Sequence, residues 1–426
     1  MRLLVVTQFF PPDITAAAFR MADTLALLAA WGHDVRVLTA VPHKARADAP
    51  EDEADRLDER LRVYRSRVTS VGVGGLRRYV VHYLSFLAGS LCNGLRVRLG
   101  GWRPEAIWAS SPPIFAGLSG HMLSRLFRCP LVLDVRDIWP ESAVAAGQLS
   151  PAGRAFAWGK RLEHYLYRRA SRITCVAQPM RDYIARHTSA PITIIYNGVG
   201  VSGESLAPPA AVWKSNGWRT LLYAGNLGRV QALDTVIRAF AELAGAGQAD
   251  GWRLRLVGAG SVAEALRVQV RQAGMTARIA IEPPRSRETA RREMERATLL
   301  FLCLKPDPVL AATIPSKLFD YLLACRPIVA GIVGEGQEIL QSTGANLCYD
   351  PASIDALKAA LASGFEQADE LAALAPRNRA LVIERFSREQ GARLLVDCLE
   401  SACRARANGR HQATGTVGKA GRGEPI

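Results

Sequence analysis

Three short stretches combine residue types and spacings suited to handling a phosphate or a hydroxyl. In residues 221–240 (LLYAGNLGRVQALDTVIRAF) an apolar strand runs into Gly225-Asn226-Leu227-Gly228, after which Leu233, Val236, Ile237 and Phe240 recur at helical spacing. Glycines at 225 and 228 let the backbone approach a diphosphate closely, and a helix opening there offers free N–H groups and the positive end of its dipole. Arg229 adds a full charge. A second turn, Val257-Gly258-Ala259-Gly260-Ser261, ends the next strand and opens another helix. Each turn alone is equally an ordinary β–α connection; two in succession favour a nucleotide.

The third stretch is Thr313-Ile314-Pro315-Ser316-Lys317-Leu318-Phe319-Asp320-Tyr321. Pro315-Ser316 reads as a helix start with Ser316 as cap, so Lys317 falls in the first turn and Asp320 one turn later. A carboxylate on that inner face suits the vicinal hydroxyls of a ribose; the plainer reading is a surface Lys-Asp pair at i, i+3. Earlier in the chain the apolar run 131–135 leads to Arg136-Asp137-Ile138-Trp139-Pro140. There Asp137 positions or deprotonates a hydroxyl, or caps the next turn, and Arg136 holds a phosphate. Phe9-Phe10-Pro11-Pro12-Asp13 follows another strand, which puts Pro12 and Asp13 on the same side. No histidine has a partner at metal-ligand spacing, so no metal is expected.

The elements that must position these residues alternate strand and helix. Residues 3–9 form an apolar run of strand length, Phe19, Ala22, Leu25 and Leu28 recur at helical spacing, and a strand resumes at 34–40. Further strands are expected at 61–68, 106–109, 131–135, 173–177 and 192–196, and a second series at 220–224, 253–257, 278–282, 299–304 and 328–331. Helix-separated strands imply doubly wound parallel sheets, so the fold class is α/β with two facing Rossmann-like domains, whose ligands bind beyond the carboxyl ends of the strands. The join falls at residues 197–209, rich in Gly, Pro and Ser. The expected division is a first domain over 1–197, a second over 198–380, a C-terminal helix over 381–405 returning to the first domain, and a disordered tail over 406–426.

With 426 residues and 49% hydrophobic content the chain can bury two cores, which excludes disordered and fibrous classes. The short apolar start, lacking a charged lead, does not read as a signal peptide. The eight scattered cysteines show no zinc spacing and read as buried thiols in a reducing compartment. The net charge of +15 is mostly arginine, without the basic and aromatic interleaving of a nucleic-acid reader; no nucleic-acid partner is expected, and an anionic membrane surface fits better. Residues 79–95 (YVVHYLSFLAGSLCNGL), flanked by arginines, read either as a core helix or as one docked on a membrane, and are too short and too interrupted by His82 and Asn93 to span it. The acidic run 51–59 reads as a solvated edge.

Together, VVTQFFPPD, WGHDVRVLT, SSPPIF, RDIWPES, YNGV, YAGNLG, IPSKLFDY and RPIVA resemble the retaining glycosyltransferases of family 4, in the branch that builds O-antigen and colanic-acid-like exopolysaccharides. The resemblance covers most of the chain. It implies a GT-B fold, no catalytic metal or cofactor, a UDP- or GDP-sugar held by the second domain, and a lipid-diphosphate-linked glycan acceptor held by the first, at the cytoplasmic face of the plasma membrane. Carried over by position, Gly225, Asn226, Gly228 and Arg229 lie at the donor diphosphate, with Gly258, Gly260, Ser316, Lys317 and Leu318 around the donor. Asp320 matches the ribose-binding second acid of the family's paired-glutamate motif. Asp137 takes the catalytic position, with Pro12, Asp13 and Arg136 on the acceptor side. Two departures stand out: Ala312 occupies the place of the motif's first acid, and Gln231 that of a basic residue after the Gly turn.

Overall fold

The computed structural model describes residues 1–13, 15–42, 59–69, 76–200 and 217–415. The acidic run apart from Glu59, most of the linker after Gly200, and residues 416–426 of the tail lie outside the described residues.

Short apolar runs bounded by Gly, Pro or a helix cap become strands covered on both faces, the pattern of a parallel sheet between helix layers. The first sheet contains β1 (Arg2–Val6), β2 (Asp34–Ala40), β3 (Leu61–Ser66), β4 (Ala106–Ser111), β5 (Leu131–Val135), β6 (Arg172–Cys175) and β7 (Ile192–Ile194). The second contains β8 (Arg219–Ala224), β9 (Trp252–Val257), β10 (Ile279–Glu282), β11 (Leu299–Cys303), β12 (Ile328–Gly331) and β13 (Leu347–Cys348). Their orders are β3-β2-β1-β4-β5-β6-β7 and β10-β9-β8-β11-β12-β13, with parallel pairing. In each sheet the chain winds one way and then the other from its first strand, which opens a crevice at the carboxyl ends of β1 and β4, and of β8 and β11. The two doubly wound sheets anticipated from periodicity are present; β13, two half-buried residues, had no apolar run to reveal it.

The lobes are joined where the chain returns. Val199 N donates to Phe386 O (3.0 Å) and Arg388 N to Val199 O (2.7 Å). A Cβ at Gly198 would stand 2.2 Å from the Phe386 carbonyl oxygen, so only glycine fits this crossing. An apolar cluster runs from Ile138, Met180 and Ile184 of the first lobe into Ile314, Leu318 and Phe319 of the second. The C-terminal helix Arg388–Gly415 then lies on the first lobe, where Leu395, Cys398 and Leu399 pack with Leu3, Val5, Leu25 and Trp108. Residues 406–415, expected to be without order, continue this helix. Ala405, Arg406 and Ala407 are strong helix formers, and extending a docked helix needs no new nucleus.

The helix Leu76–Leu99 turns His82, Ser90 and Asn93 inward and leaves Arg78 and Arg96 exposed. His82 meets Gln8 Nε2 (2.6 Å) and the Thr69 carbonyl (2.5 Å), and Asn93 donates to Ser66 Oγ (3.1 Å) and Arg65 O (3.2 Å). Val81, Leu84, Leu95 and Leu99 face outward, with Leu99 78% exposed. Among the described residues no helix is long and apolar enough to cross a membrane. All eight cysteines are free; five are buried and Cys92 is exposed.

Candidate functional site

β8 delivers the chain to Gly225, whose φ of +147° is a conformation that side chains disfavour. The turn after it is held from within. Gly225 N donates to Val257 O (2.9 Å), Leu227 N to Ala259 O (2.9 Å) and Gly228 N to Gln231 Oε1 (3.1 Å). A 3₁₀ turn, Arg229–Gln231, follows, Ala232 takes a φ of +46°, and the helix proper starts at Leu233. This corrects the expectation of free amides and a helix end at the glycines: three of the turn's four amides are already bonded, two to carbonyls of the neighbouring turn and one to Gln231, which folds back onto Gly228.

The second Gly turn packs directly on the first. A Cβ at Gly258 (φ +154°) would stand 1.8 Å from Gly225 O, and one at Gly260 would stand 2.1 Å from Leu227 O. Gly258 and Gly260 are thus required by backbone against backbone, whatever else lies near them.

The helix Ser316–Leu323 brings the charged side chains. Its N-cap is Pro315, without a side-chain cap bond, so Ser316 is the first helical residue and not the cap expected from its type. Leu318 is wholly buried in the apolar cluster, which makes it an anchor of the helix. The Tyr321 hydroxyl accepts from Ala224 N (2.9 Å), tying the helix to the end of β8. Lys317 Nζ lies 3.7 Å from the centre of the Tyr223 ring and donates to its hydroxyl, which donates to Asn226 O (2.6 Å). A Cβ on Gly225 would meet Lys317 Nζ at 2.6 Å, so the ammonium sits on the turn. Burial lowers its pKa to about 7, against the pull of Asp320. No ion pair joins Lys317 to Asp320 among the described residues, which leaves the plain i, i+3 pair without support. Asp320 opens to solvent in a recess whose walls raise its pKa by desolvation, against Arg287 and Arg388. Arg229 is exposed and reaches toward the first lobe, where a Cβ on Gly147 would be 3.6 Å from its guanidinium.

The first lobe presents charge from the end of β5. Asp134 is buried and accepts from Arg20 Nη2 (2.6 Å), Ser110 Oγ (3.1 Å) and Thr174 Oγ1 (2.8 Å). Burial acts to raise its pKa, but Arg20, Arg136 and these bonds outweigh it and hold it below the usual carboxylate value. Asp137 is pushed up to about 6 by burial, opposed by Arg136. It does not cap the following helix, whose N-cap is Pro140; it lines a small crevice with Ser111, Trp139 and Glu163. Pro12 and Asp13 are buried in the loop after β1 and so are not presented to solvent.

Several residues of the cleft carry no local sequence signal. Arg287 pairs with Asp23 across the lobes (3.0 and 2.8 Å), and Glu335 accepts from the Tyr196 hydroxyl (2.5 Å) and Gln178 N (2.6 Å). Arg20 and Arg388 are brought together only by the fold. Among the described residues no three His, Cys, Asp or Glu side chains gather as a metal-ligand set.

Known proteins resemble this chain in sequence and fold. Residues 15–198 match the glycosyl transferase 4-like domain and residues 218–366 the glycosyl transferases group 1. A relative in Escherichia coli K12, "Putative colanic acid biosynthesis glycosyl transferase WcaI", is 22% identical over 254 residues, 56% of this chain and 62% of its own length. This chain thus matches less than two thirds of that relative. Among solved structures, Anabaena Alr3699/HepE in complex with UDP and glucose superposes with a TM-score of 0.67 at 16% identity, over 94% of this chain and all of that one. Sucrose-phosphate synthase from Thermosynechococcus elongatus gives a TM-score of 0.71 at 15% identity, over 95% of this chain and 100% of that one. Identities this low establish the shared fold. With a glycosyl transferase 4-like domain followed by a group 1 domain across most of its length, the chain belongs to the GT-B glycosyltransferases.

Proposed function

We propose that the protein is a retaining, metal-independent transferase that moves a hexosyl or N-acetylhexosaminyl group from a UDP- or GDP-sugar to a lipid-diphosphate-linked glycan in exopolysaccharide or O-antigen synthesis. The observation that carries this reading is the convergence of Gly225, Lys317 and Asp320 at the mouth of the second lobe, with Arg229 reaching from the same turn toward the lobe that holds Arg136 and Asp137. Lys317 and Arg229 meet the donor diphosphate, and Asp320 accepts from the ribose hydroxyls. Asp137 holds the acceptor hydroxyl and shares its proton with the departing phosphate oxygen on the face from which that oxygen leaves. Configuration is then kept without a covalent intermediate. A carboxyl with a pKa of about 6 is suited to this, because it takes and returns a proton near neutral pH.

The outward apolar face of the Leu76–Leu99 helix supports peripheral docking on the anionic inner surface of the plasma membrane. Exposed Trp158 extends that face by stacking on Phe115 (6.2 Å between centroids), which in turn stacks on Tyr83 (6.0 Å). A second reading, a scaffold that keeps the fold without transfer, is favoured by Ala312, which brings no carboxylate where the family motif has its first acid. A thermal-shift series with UDP and GDP separates the two. A transferase is stabilised by RT ln(1 + [L]/Kd) with one of them, and a scaffold by neither.

A further inference from the structure

We infer that Arg20, Arg136 and Arg388 form a second oxyanion subsite, at the carboxyl end of the first-lobe strands and apart from the donor turn, that takes a phosphate group of the acceptor. The identity of the second substrate rests on the transferase reading above; the subsite itself rests on three observations.

The first is placement. Asp134 lies near the end of β5, and Arg136 follows that strand directly, its N–H donating to Ser111 O (2.7 Å). Arg20 reaches the same point from the Ala16–Ala30 helix, stacked over Trp108 (5.5 Å) and donating to Asp134 and Ser110. Arg388, the first residue of the C-terminal helix, lines a narrow crevice with Arg20, Trp108, Asp134 and Tyr196.

The second is charge. Both oxygens of Asp134 are engaged, by Arg20 and Ser110 on one and Thr174 on the other. Asp23, which also faces Arg388, is committed to Arg287. Asp137 and Asp320 are the remaining acids acting on Arg136 and Arg388 respectively, so three carboxylates face three guanidiniums, but among the described residues neither of these two makes an ion pair with its arginine. Burial first, and then Arg20, hold the pKa of Arg136 well below the ordinary arginine value.

The third is hydrogen bonding. Arg20 Nε, Arg136 Nη1 and Arg388 Nε are buried without an acceptor. Unmet donors on mutually repelling cations are unfavourable alone, and one tetrahedral phosphate oxyanion relieves both defects, since its oxygens match the planar guanidinium fork.

The test is calorimetric titration of the full chain, saturated with UDP, by inorganic pyrophosphate and by geranyl diphosphate at fixed ionic strength. Both ligands are expected to bind beside UDP. R136Q and R388Q should each weaken them about tenfold, the loss of roughly one charge-assisted hydrogen bond, with UDP affinity held within about threefold. Tighter binding of geranyl diphosphate than of pyrophosphate assigns the phosphate to a lipid-linked acceptor; equal binding assigns it to a free phosphate, and either supports the subsite. Pyrophosphate excluded by UDP, or bound equally by wild type and by folded R136Q and R388Q, overturns it. Failure of UDP itself to bind strikes the transferase reading instead, and pyrophosphate titrated without UDP into the same variants then decides the subsite alone.

Discussion

The two lobes share one topology but hold their ligand-facing loops in opposite ways. In the second lobe, glycines let two turns lie backbone on backbone, and most of the first turn's amides are satisfied internally. In the first lobe, the corresponding strand ends carry buried guanidinium and carboxylate groups with donors left unmet. The second lobe is therefore a finished scaffold on which a few side chains select the ligand. The first holds buried guanidinium donors without acceptors, which a ligand can supply.

The largest effect that can break this comparison lies at Gly258. Gly258→Ala would drive a Cβ into the Gly225 carbonyl and should lower stability by roughly 3 kcal/mol or more in denaturant unfolding. A wild-type midpoint would show that the turns are not locked. In the first lobe, Asp134→Asn leaves Arg20 buried without its charge and should cost about 3 kcal/mol. Arg136→Met, by contrast, removes an unmet cation and should be neutral or stabilising in the same experiment. Equal losses for the two would mean that the charges of this lobe are already balanced.

Smaller effects sharpen the account of the second lobe. Lys317→Met should weaken UDP binding about tenfold or more without lowering the apo melting temperature, because it removes a desolvated cation. A fall in melting temperature with UDP affinity intact would reverse the assignment. The pH dependence has a fixed sign. The Lys317 pKa is lowered to about 7 in the free protein and a bound diphosphate raises it. UDP affinity should then be level below pH 7 and decline above it, by at most about tenfold per unit, with proton uptake on binding. Flat affinity from pH 6 to 9 would exclude Lys317 as the diphosphate's counter-charge. Smallest of all, Leu84→Asp on the outward face of the Leu76–Leu99 helix should reduce pelleting with anionic vesicles a few-fold while leaving UDP binding unchanged. Undiminished pelleting would place the membrane contact elsewhere.

Much of the fold was legible because strands covered on both faces read as continuous apolar runs, as at 299–303, separated by helical periods. The meeting of Lys317 with the Gly225 turn was legible in outline, since both sit in short stretches whose spacing survives folding. The details around it were not. Gln231 looks like any residue of a helical first turn until its side chain is seen to cap Gly228. Ser316 has the type of a cap, but the backbone gives that place to Pro315. On the helix at 79–95, His82 and Asn93 looked like interruptions; they are its inner face, bonded to the loops beneath it. The arginines of the first lobe could not be grouped from sequence at all, because Arg20, Arg136 and Arg388 come from opposite ends and the middle of the chain.

The central claim is that Gly225, Lys317 and Asp320 hold a nucleotide diphosphate. Calorimetric titration of UDP and GDP into wild type and Asp320→Ala tests it most directly. One nucleotide is expected to bind wild type, with affinity falling at least about tenfold in a variant of unchanged melting temperature. No binding of either nucleotide, or undiminished affinity in folded Asp320→Ala, would contradict it.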